Sequence, residues 1–331
     1  MKDTIKKLTE AYGPSGYEQS IRQLIREEIR GHADEIRTDP LGSLIAQKRG
    51  NGKGNKVMLA AHMDEIGVMV THIDEKGFCR FAPIGGINAL TLLGGRVVFG
   101  HGVQGVIGME RKHIEAGKTP ALNQFFIDVG ASDRKACPVK VGDAAGFVRP
   151  FEDLGDRLVA KTMDDRIGCA ILVETLRKLR RSPHEVYFVF TVQEEATLAG
   201  ARTSAYGLNP DVALAVDVTG TGDTPEANYM AVSLGLGPAI KVKDSGMVAH
   251  GGVKDLMVRR AEEAGLPYQL EVLTAGTTDA MAIQMVREGI PSGCLSIPCR
   301  YIHAPSEMVD YRDVQNSVKL LLAILRKPIE L

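Results

Sequence analysis

Val186-Tyr187-Phe188-Val189-Phe190 runs straight into Thr191-Val192-Gln193-Glu194-Glu195, so a β-branched and aromatic stretch delivers two adjacent carboxylates at its end. Bounded by Ser182-Pro183 and Ala199-Gly200, the run reads as a buried strand. Ligands of open α/β sheets gather outside the carboxyl ends of the strands. Neighbouring side chains leaving a strand point in different directions, so one acid can bind a metal while the other faces a substrate. A solvated loop is the ordinary place for paired glutamates; the rest of the chain decides against it here.

Moving outward, residues 56–61 form a second apolar strand that ends in His62-Met63-Asp64-Glu65-Ile66-Gly67. Residues 212–216 form another that ends in Asp217, and Leu295-Ser296-Ile297-Pro298 leads to Tyr301-Ile302-His303. Helical spacing of apolar residues alternates with these strands over residues 18–32, 161–179, 200–206, 251–264, 279–287 and 310–326, with Asp164 and Asp165 at the start of the second helix. Alternating strands and helices predict an α/β fold with a mainly parallel, helix-covered sheet. Between 68 and 157 the pattern changes to short glycine-punctuated strands without a long helix, which predicts an inserted small all-β barrel. The expected organisation is a discontinuous main domain, 1–67 and 158–331, interrupted by an inserted domain, 68–157, whose strand edges need covering.

Composition narrows the partners. The 331 residues are 44% hydrophobic and 24% charged, enough apolar content for a large core. Forty Lys and Arg balance forty-one Asp and Glu with no block of one sign, so electrostatics proposes neither a nucleic-acid nor a membrane partner. Five cysteines without a Cys-x-x-Cys pair argue against a disulfide framework or a thiolate zinc site and for a reducing cytoplasm. The charged start, Met1-Lys2-Asp3-Thr4-Ile5-Lys6-Lys7, is not that of a secretory signal, and no targeting segment is expected.

Strand and helix ends thus present His62, Asp164, Glu195, Asp217 and His303. Two imidazoles and three carboxylates suit zinc, cobalt or manganese better than copper or an iron–sulfur cluster. Two divalent cations would be balanced by three carboxylates and one hydroxide, leaving the buried site neutral; one cation would leave an excess of acid. Asp64 lies two residues from His62 on an extended segment, on the same face, where its carboxylate can accept the other imidazole N–H.

In this order, Gly13-Pro14-Ser15-Gly16, Ala61-His62-Met63-Asp64-Glu65-Ile66-Gly67, Lys161-Thr162-Met163-Asp164-Asp165-Arg166, Val192-Gln193-Glu194-Glu195, Val216-Asp217-Val218-Thr219, Thr278-Asp279-Ala280 and Arg300-Tyr301-Ile302-His303 span nearly the whole chain. The chain so read resembles the dinuclear metallo-aminopeptidases that include the tetrahedral aminopeptidases and glutamyl aminopeptidase. The resemblance implies that His62 and Asp217 hold one divalent ion, Glu195 and His303 the other, and that Asp164 bridges them. It implies Glu194 as catalytic acid/base, Asp64 as the orienting partner of His62, short peptides as substrates, and a dimer-based homo-oligomer, a dodecamer in relatives, with the main domain as the catalytic domain and the inserted one as an oligomerisation domain. The chain departs from the resembled pattern at Gly108-Met109-Glu110-Arg111-Lys112-His113 and at Ala275-Gly276-Thr277-Thr278-Asp279.

Other residues have plainer readings. Asp165 reads as a helix N-terminal carboxylate or salt-bridge partner. His72, His101, His113, His184 and His250 read as surface or packing histidines. Thr278 and Asp279 either line a substrate pocket or cap the following helix. Cys294 and Cys299 read as buried apolar residues. Because metals and Glu194 do not choose which amide is cut, a deacylase or carboxypeptidase is the alternative enzyme. A glycosidase would need no metal. A non-catalytic assembly protein would have no need of five ligands and Glu194.

Overall fold

In the computed structural model, which describes residues 1–52, 54–110, 118–227 and 229–331, the β-branched runs of the sequence form two separate sheets. Chain order begins with β1 (Glu35–Thr38), β2 (Leu44–Lys48) and β3 (Lys56–His62). Six strands then form a closed barrel: β4 (Gly67–Ile73), β5 (Cys79–Ile84), β6 (Arg96–Phe99), β7 (Gln104–Met109), β8 (Phe125–Asp128) and β9 (Ala144–Phe147). The first sheet resumes with β10 (Glu152–Asp153), β11 (Arg157–Ala160), β12 (Glu185–Thr191), β13 (Val212–Thr219), β14 (Ala239–Lys243), β15 (Gln269–Val272), β16 (Ser292–Arg300) and β17 (Glu307–Asp310).

Its strand order is β1-β2-β12-β3-β13-β16-β17-β11-β10, with β14 and β15 branching from β16. The expected parallel sheet is the centre of this array, where β12, β3, β13 and β16 run the same way; both flanks are antiparallel. Register brings Thr191 beside His62, Ala215 beside Ala60 and Asp217 beside Ser296, so the carboxyl ends of all four central strands open on one edge.

The eight α-helices are α1 (Lys2–Glu10), α2 (Gln19–Glu28), α3 (Met163–Lys178), α4 (Glu194–Thr197), α5 (Ala199–Leu208), α6 (Gly251–Glu263), α7 (Asp279–Gln284) and α8 (Tyr311–Leu325) among the described residues. The period of two along β3 divides its side chains between two layers. Val57, Leu59 and Ala61 pack with Ile167 and Ile171 of α3 and Leu321 of α8. Met58 and Ala60 pack with Ala201 and Ala205 of α5 and Ile283 of α7. Burial on both faces explains why these strands read as continuous apolar runs. Truncating fully buried Phe188 of β12 to Ala would cost about 3–5 kcal/mol.

Barrel strands alternate instead. Val68, Val70, Phe81, Phe99, Ile107 and Ile127 point into a core separate from that of the main sheet. Strand β9 pairs with both β4 and β6, so the ring closes and leaves no unpaired edge. This corrects the expectation that the module's strand edges need covering: closure already satisfies them.

The barrel is rooted at Glu65, whose carboxylate accepts Gly13 N at 2.8 Å and the Lys161 Nζ donor at 2.5 Å. The Gly13-Pro14-Ser15-Gly16 turn pairs with this point, since Glu65 N donates to Gly13 O and Ser15 N to Glu65 O. A Cβ on Gly13 would lie 2.8 Å from the Ile21 side chain and 2.9 Å from Arg166 Nη2, so only glycine fits. Arg166 is wholly buried and donates to the carbonyls of Met63, Leu8 and Ala11, with the Glu65 carboxylate 3.8 Å away to balance its charge.

Candidate active site

Each of the four central strands contributes to one cluster at its carboxyl end. His62 is the last residue of β3, and His303 follows β16. Asp217 lies within β13, two residues before its end, rather than beyond the strand as the sequence pattern implied. After β12, Gln193 takes a left-handed conformation (φ 57°) and turns the chain directly into the short helix α4, which opens with Glu194 and Glu195. Asp164 comes from the start of α3, where Asp164 and Asp165 are non-helical in backbone and so stand apart from the regular helix.

Asp164 lies between the two imidazoles. Its Oδ1 is 2.9 Å from His62 Nε2 and its Oδ2 is 3.3 Å from His303 Nε2. Asp217 Oδ1 is 3.8 Å and Glu194 Oε2 3.9 Å from the same His62 nitrogen, while Glu195 Oε1 is 3.2 Å from His303 Nε2. That Glu195 oxygen is close to an imidazole yet buried without a hydrogen bond of proper geometry; the short distance alone does not satisfy it. Two overlapping sets of ligand atoms fall within 4.8 Å of one another: His62, Asp164 and Glu195, and His62, Asp165 and Asp217. His303 belongs to neither set, and Asp165 joins one.

Asp64 has two connections. Its side-chain oxygens accept Glu194 N and Glu195 N, each at 3.0 Å, and Oδ1 stands 3.6 Å from His62 Nδ1, whose nearest partner is the Asp64 carbonyl at 3.2 Å. The single carboxylate therefore ties the glutamate turn to the histidine strand. Asp165 is fully buried and accepts Gly168 N at 3.0 Å and His62 N at 3.2 Å, an N-terminal cap that also fixes the backbone of His62.

The electrostatics reflect an excess of acid. Burial opposes the charged form of both imidazoles, but the surrounding carboxylates prevail: His303 is held up at about 11 by Asp164 and Glu195, and His62 is also raised. Burial pushes the carboxyls of Glu194 and Asp217 well above the usual range, and neighbouring acids push them further despite His62. Asp164 moves the other way because its contacts with His303 and His62 outweigh burial. Crowded carboxylates and imidazole nitrogens facing a shared space, with one acid oxygen unsatisfied, are what bound cations would neutralise, so the donor set fits divalent metal. The cluster opens onto a cavity of about 580 Å³.

Sequence reasoning passed over Glu307. This buried glutamate at the start of β17 accepts Asp164 N and His303 N, each at 2.8 Å, and so holds the backbone of two cluster residues. Its only signal in sequence is an acid four residues after His303 at the head of an apolar run. Thr278 accepts Ala280 N and caps α7, whereas Asp279 is buried, takes the Thr191 hydroxyl at 2.5 Å, and is pushed up to about 6 chiefly by burial. Among the remaining histidines, His184 is buried between Asn55 N and Lys327 O; His72, His101 and His250 are exposed; His113 lies outside the described residues.

An α/β sheet with an acid- and imidazole-lined cavity across its central strand ends, and a barrel inserted between β3 and β10, defines a class of peptide-bond hydrolases. The chain belongs to the M42 glutamyl aminopeptidase family, whose model matches residues 42–320. It is 48% identical over 97% of both chains to a putative aminopeptidase of Acetivibrio thermocellus. Its fold matches aminopeptidase APDkam598 of the archaeon Desulfurococcus kamchatkensis at a TM-score of 0.94 and 43% identity, covering 98% of this chain and 94% of that one. It also matches the TET1 peptidase of Pyrococcus horikoshii, which can assemble into a tetrahedron or a large octahedral shell, at a TM-score of 0.88 and 33% identity, covering 98% and 99%.

Proposed function

We propose that this protein is a metal-dependent aminopeptidase that releases N-terminal residues from short peptides, with two divalent ions, zinc or cobalt foremost and manganese next, at each active site. His62 and Asp217 hold one ion, Glu195 and His303 the other, and Asp164 bridges them. The observation that carries this reading is the position of Asp164, with one oxygen 2.9 Å from His62 and the other 3.3 Å from His303, flanked by Asp217 and Glu195.

Ions held by these residues would supply Lewis-acid chemistry, making water a nucleophile near neutral pH and polarising the scissile carbonyl. Glu194 lines the same cavity, and burial raises the proton affinity of its carboxylate, so the carboxylate is suited to take a proton from water and pass it to the departing amine. Asp64 orients His62 through its backbone carbonyl, with its carboxylate 3.6 Å from the same nitrogen, and holds the position of Glu194 through that carboxylate. Asp165 and Glu307 hold the backbones of His62, Asp164 and His303.

The 68–157 module is the proposed oligomerisation domain of a discontinuous catalytic domain, building dimers and then a closed dodecamer. The assembly of a relative supports this reading; strand-edge pairing does not, because the barrel is closed. Five unpaired thiols suit a cytoplasmic setting.

Elemental analysis of protein purified without chelator should find about two divalent ions per chain. Chelator-sensitive release of a free N-terminal amino acid from an unblocked peptide is the expected activity. Cleavage of N-acyl groups or of C-terminal residues instead would replace the aminopeptidase reading, and trace metal with no gain on adding zinc, cobalt or manganese would remove the metal.

A further inference from the structure

Of the side chains lining the 580 Å³ cavity, every charged one, His62, Asp164, Glu194, Glu195, Asp217 and His303, belongs to the cluster proposed to hold ions and move protons. The rest of the lining is neutral: chiefly Leu198, Val218, Thr219, Leu273, Thr277 and Ile302, with small residues between them. Among the described residues lining the cavity, no lysine or arginine is available to a substrate carboxylate, and no acid outside the cluster is available to a substrate ammonium.

Of the three threonines in the lining, Thr197 is exposed beside Glu194 and Glu195, while Thr219 and Thr277 turn their hydroxyls away from a substrate. Thr219 Oγ1 donates to Glu271 Oε1 at 2.8 Å, and Thr277 Oγ1 to Asp244 Oδ1 at 3.2 Å. Both acceptors belong to a buried ion group in which Lys241 Nζ lies 2.6 Å from Glu271 and 3.5 Å from Asp244. Lys241, Asp244 and Glu271 are at most 1% exposed, so this nearby cation is already engaged and sealed behind the wall. With their hydroxyls donated to that group, Thr219 and Thr277 have no free proton to offer a polar substrate side chain.

We propose that this wall receives the side chain of the substrate's N-terminal residue and selects uncharged apolar side chains, such as Leu, Ile or Met, over Lys and Glu. This rests on the aminopeptidase reading above and specifies its substrate class. An apolar wall gains from each buried methylene, while a charged side chain placed there is desolvated without a partner. The roles differ: Leu273 and Ile302 meet the substrate, whereas Lys241, Glu271 and Asp244 act through Thr219 and Thr277 as positioning residues.

The test uses the metal-loaded full-length enzyme and a series of tripeptides that differ only in the N-terminal residue. Leu and Met peptides should exceed Lys and Glu peptides by about tenfold or more in kcat/KM. Release of Lys or Glu as fast as Leu overturns the proposal and leaves the aminopeptidase reading standing; release of no residue at all overturns both. Leu273→Arg, and Ala275→Arg on the exposed rim should the first not fold, place a cation at the wall without touching the cluster. Either should raise the Glu-to-Leu ratio of kcat/KM by about tenfold. An unchanged ratio in a folded, active variant shows that the N-terminal side chain lies elsewhere and overturns the assignment.

Discussion

Asp64→Asn is the substitution that best separates the proposed site from a chance gathering of acids. The wild-type carboxylate accepts Glu194 N and Glu195 N at 3.0 Å each and stands 3.6 Å from His62 Nδ1. Asparagine keeps the shape and one acceptor oxygen, so one N–H loses its partner and faces an amide NH₂. Losing one hydrogen bond to a charged acceptor costs about 1.5–3 kcal/mol. At about 1.4 kcal/mol per decade that is roughly 10- to 150-fold, matching the 10- to 100-fold loss of metal affinity typical when an orienting partner of a metal-binding histidine is changed. The main sheet should remain, because its core does not include Asp64. Chelator competition on the purified variant should show weakened metal affinity, and turnover at saturating metal should still be reduced because Glu194 has lost its anchor. A folded variant with wild-type metal affinity and wild-type turnover would refute the reasoning that Asp64 couples the two halves of the site.

Glu194→Gln should retain metal and lose about a hundredfold or more in turnover; near-normal turnover would move the proton carrier elsewhere. The surrounding carboxylates hold His303 up at about 11 and also raise His62, so in the metal-free protein both imidazoles are favoured in their protonated forms. Metal needs their free lone pairs, so adding it should release on the order of two protons per chain, and affinity should fall as pH falls. Calorimetry in buffers of different ionisation enthalpy reads that number, and zero release would count against histidine ligation. Light scattering should give a particle near twelve times the 35.7 kDa chain, roughly 430 kDa; a stable dimer would keep the barrel's role and discard the shell, and a monomer would refute both.

Much of this architecture was legible in the sequence because β3, β12, β13 and β16 are buried on both faces and therefore appear as unbroken apolar runs. Weak strands were not. Ala144–Phe147 reads Ala-Ala-Gly-Phe, with little β preference, and forms a strand because the barrel closes on it. Glu307 was missed for a different reason. Nothing in an isolated glutamate records that its carboxylate will accept two backbone N–H groups belonging to residues 303 and 164. Asp165, read as a helix N-terminal carboxylate or salt-bridge partner, and Asp279, read as lining a substrate pocket or capping a helix, are buried beside the cluster, a fact that only the packing of α3 and α7 supplies.

Residue types and their order were enough to define an α/β core with an inserted barrel, and to place histidines and acids at the ends of apolar runs. Those are local properties: periodicity, burial tendency and spacing are carried by adjacent residues. The tertiary structure decided which of the acids converge on His62 and His303, that Asp64 grips the Glu194–Glu195 turn, and that Thr219 and Thr277 in the wall beside them donate to the acids of a buried Lys241 group. These depend on pairs of residues separated by up to a hundred or more positions, such as Asp64 with Glu194 and Asp164 with Glu307. Strand register and loop direction bring them together, and neither is written in any one segment of the chain.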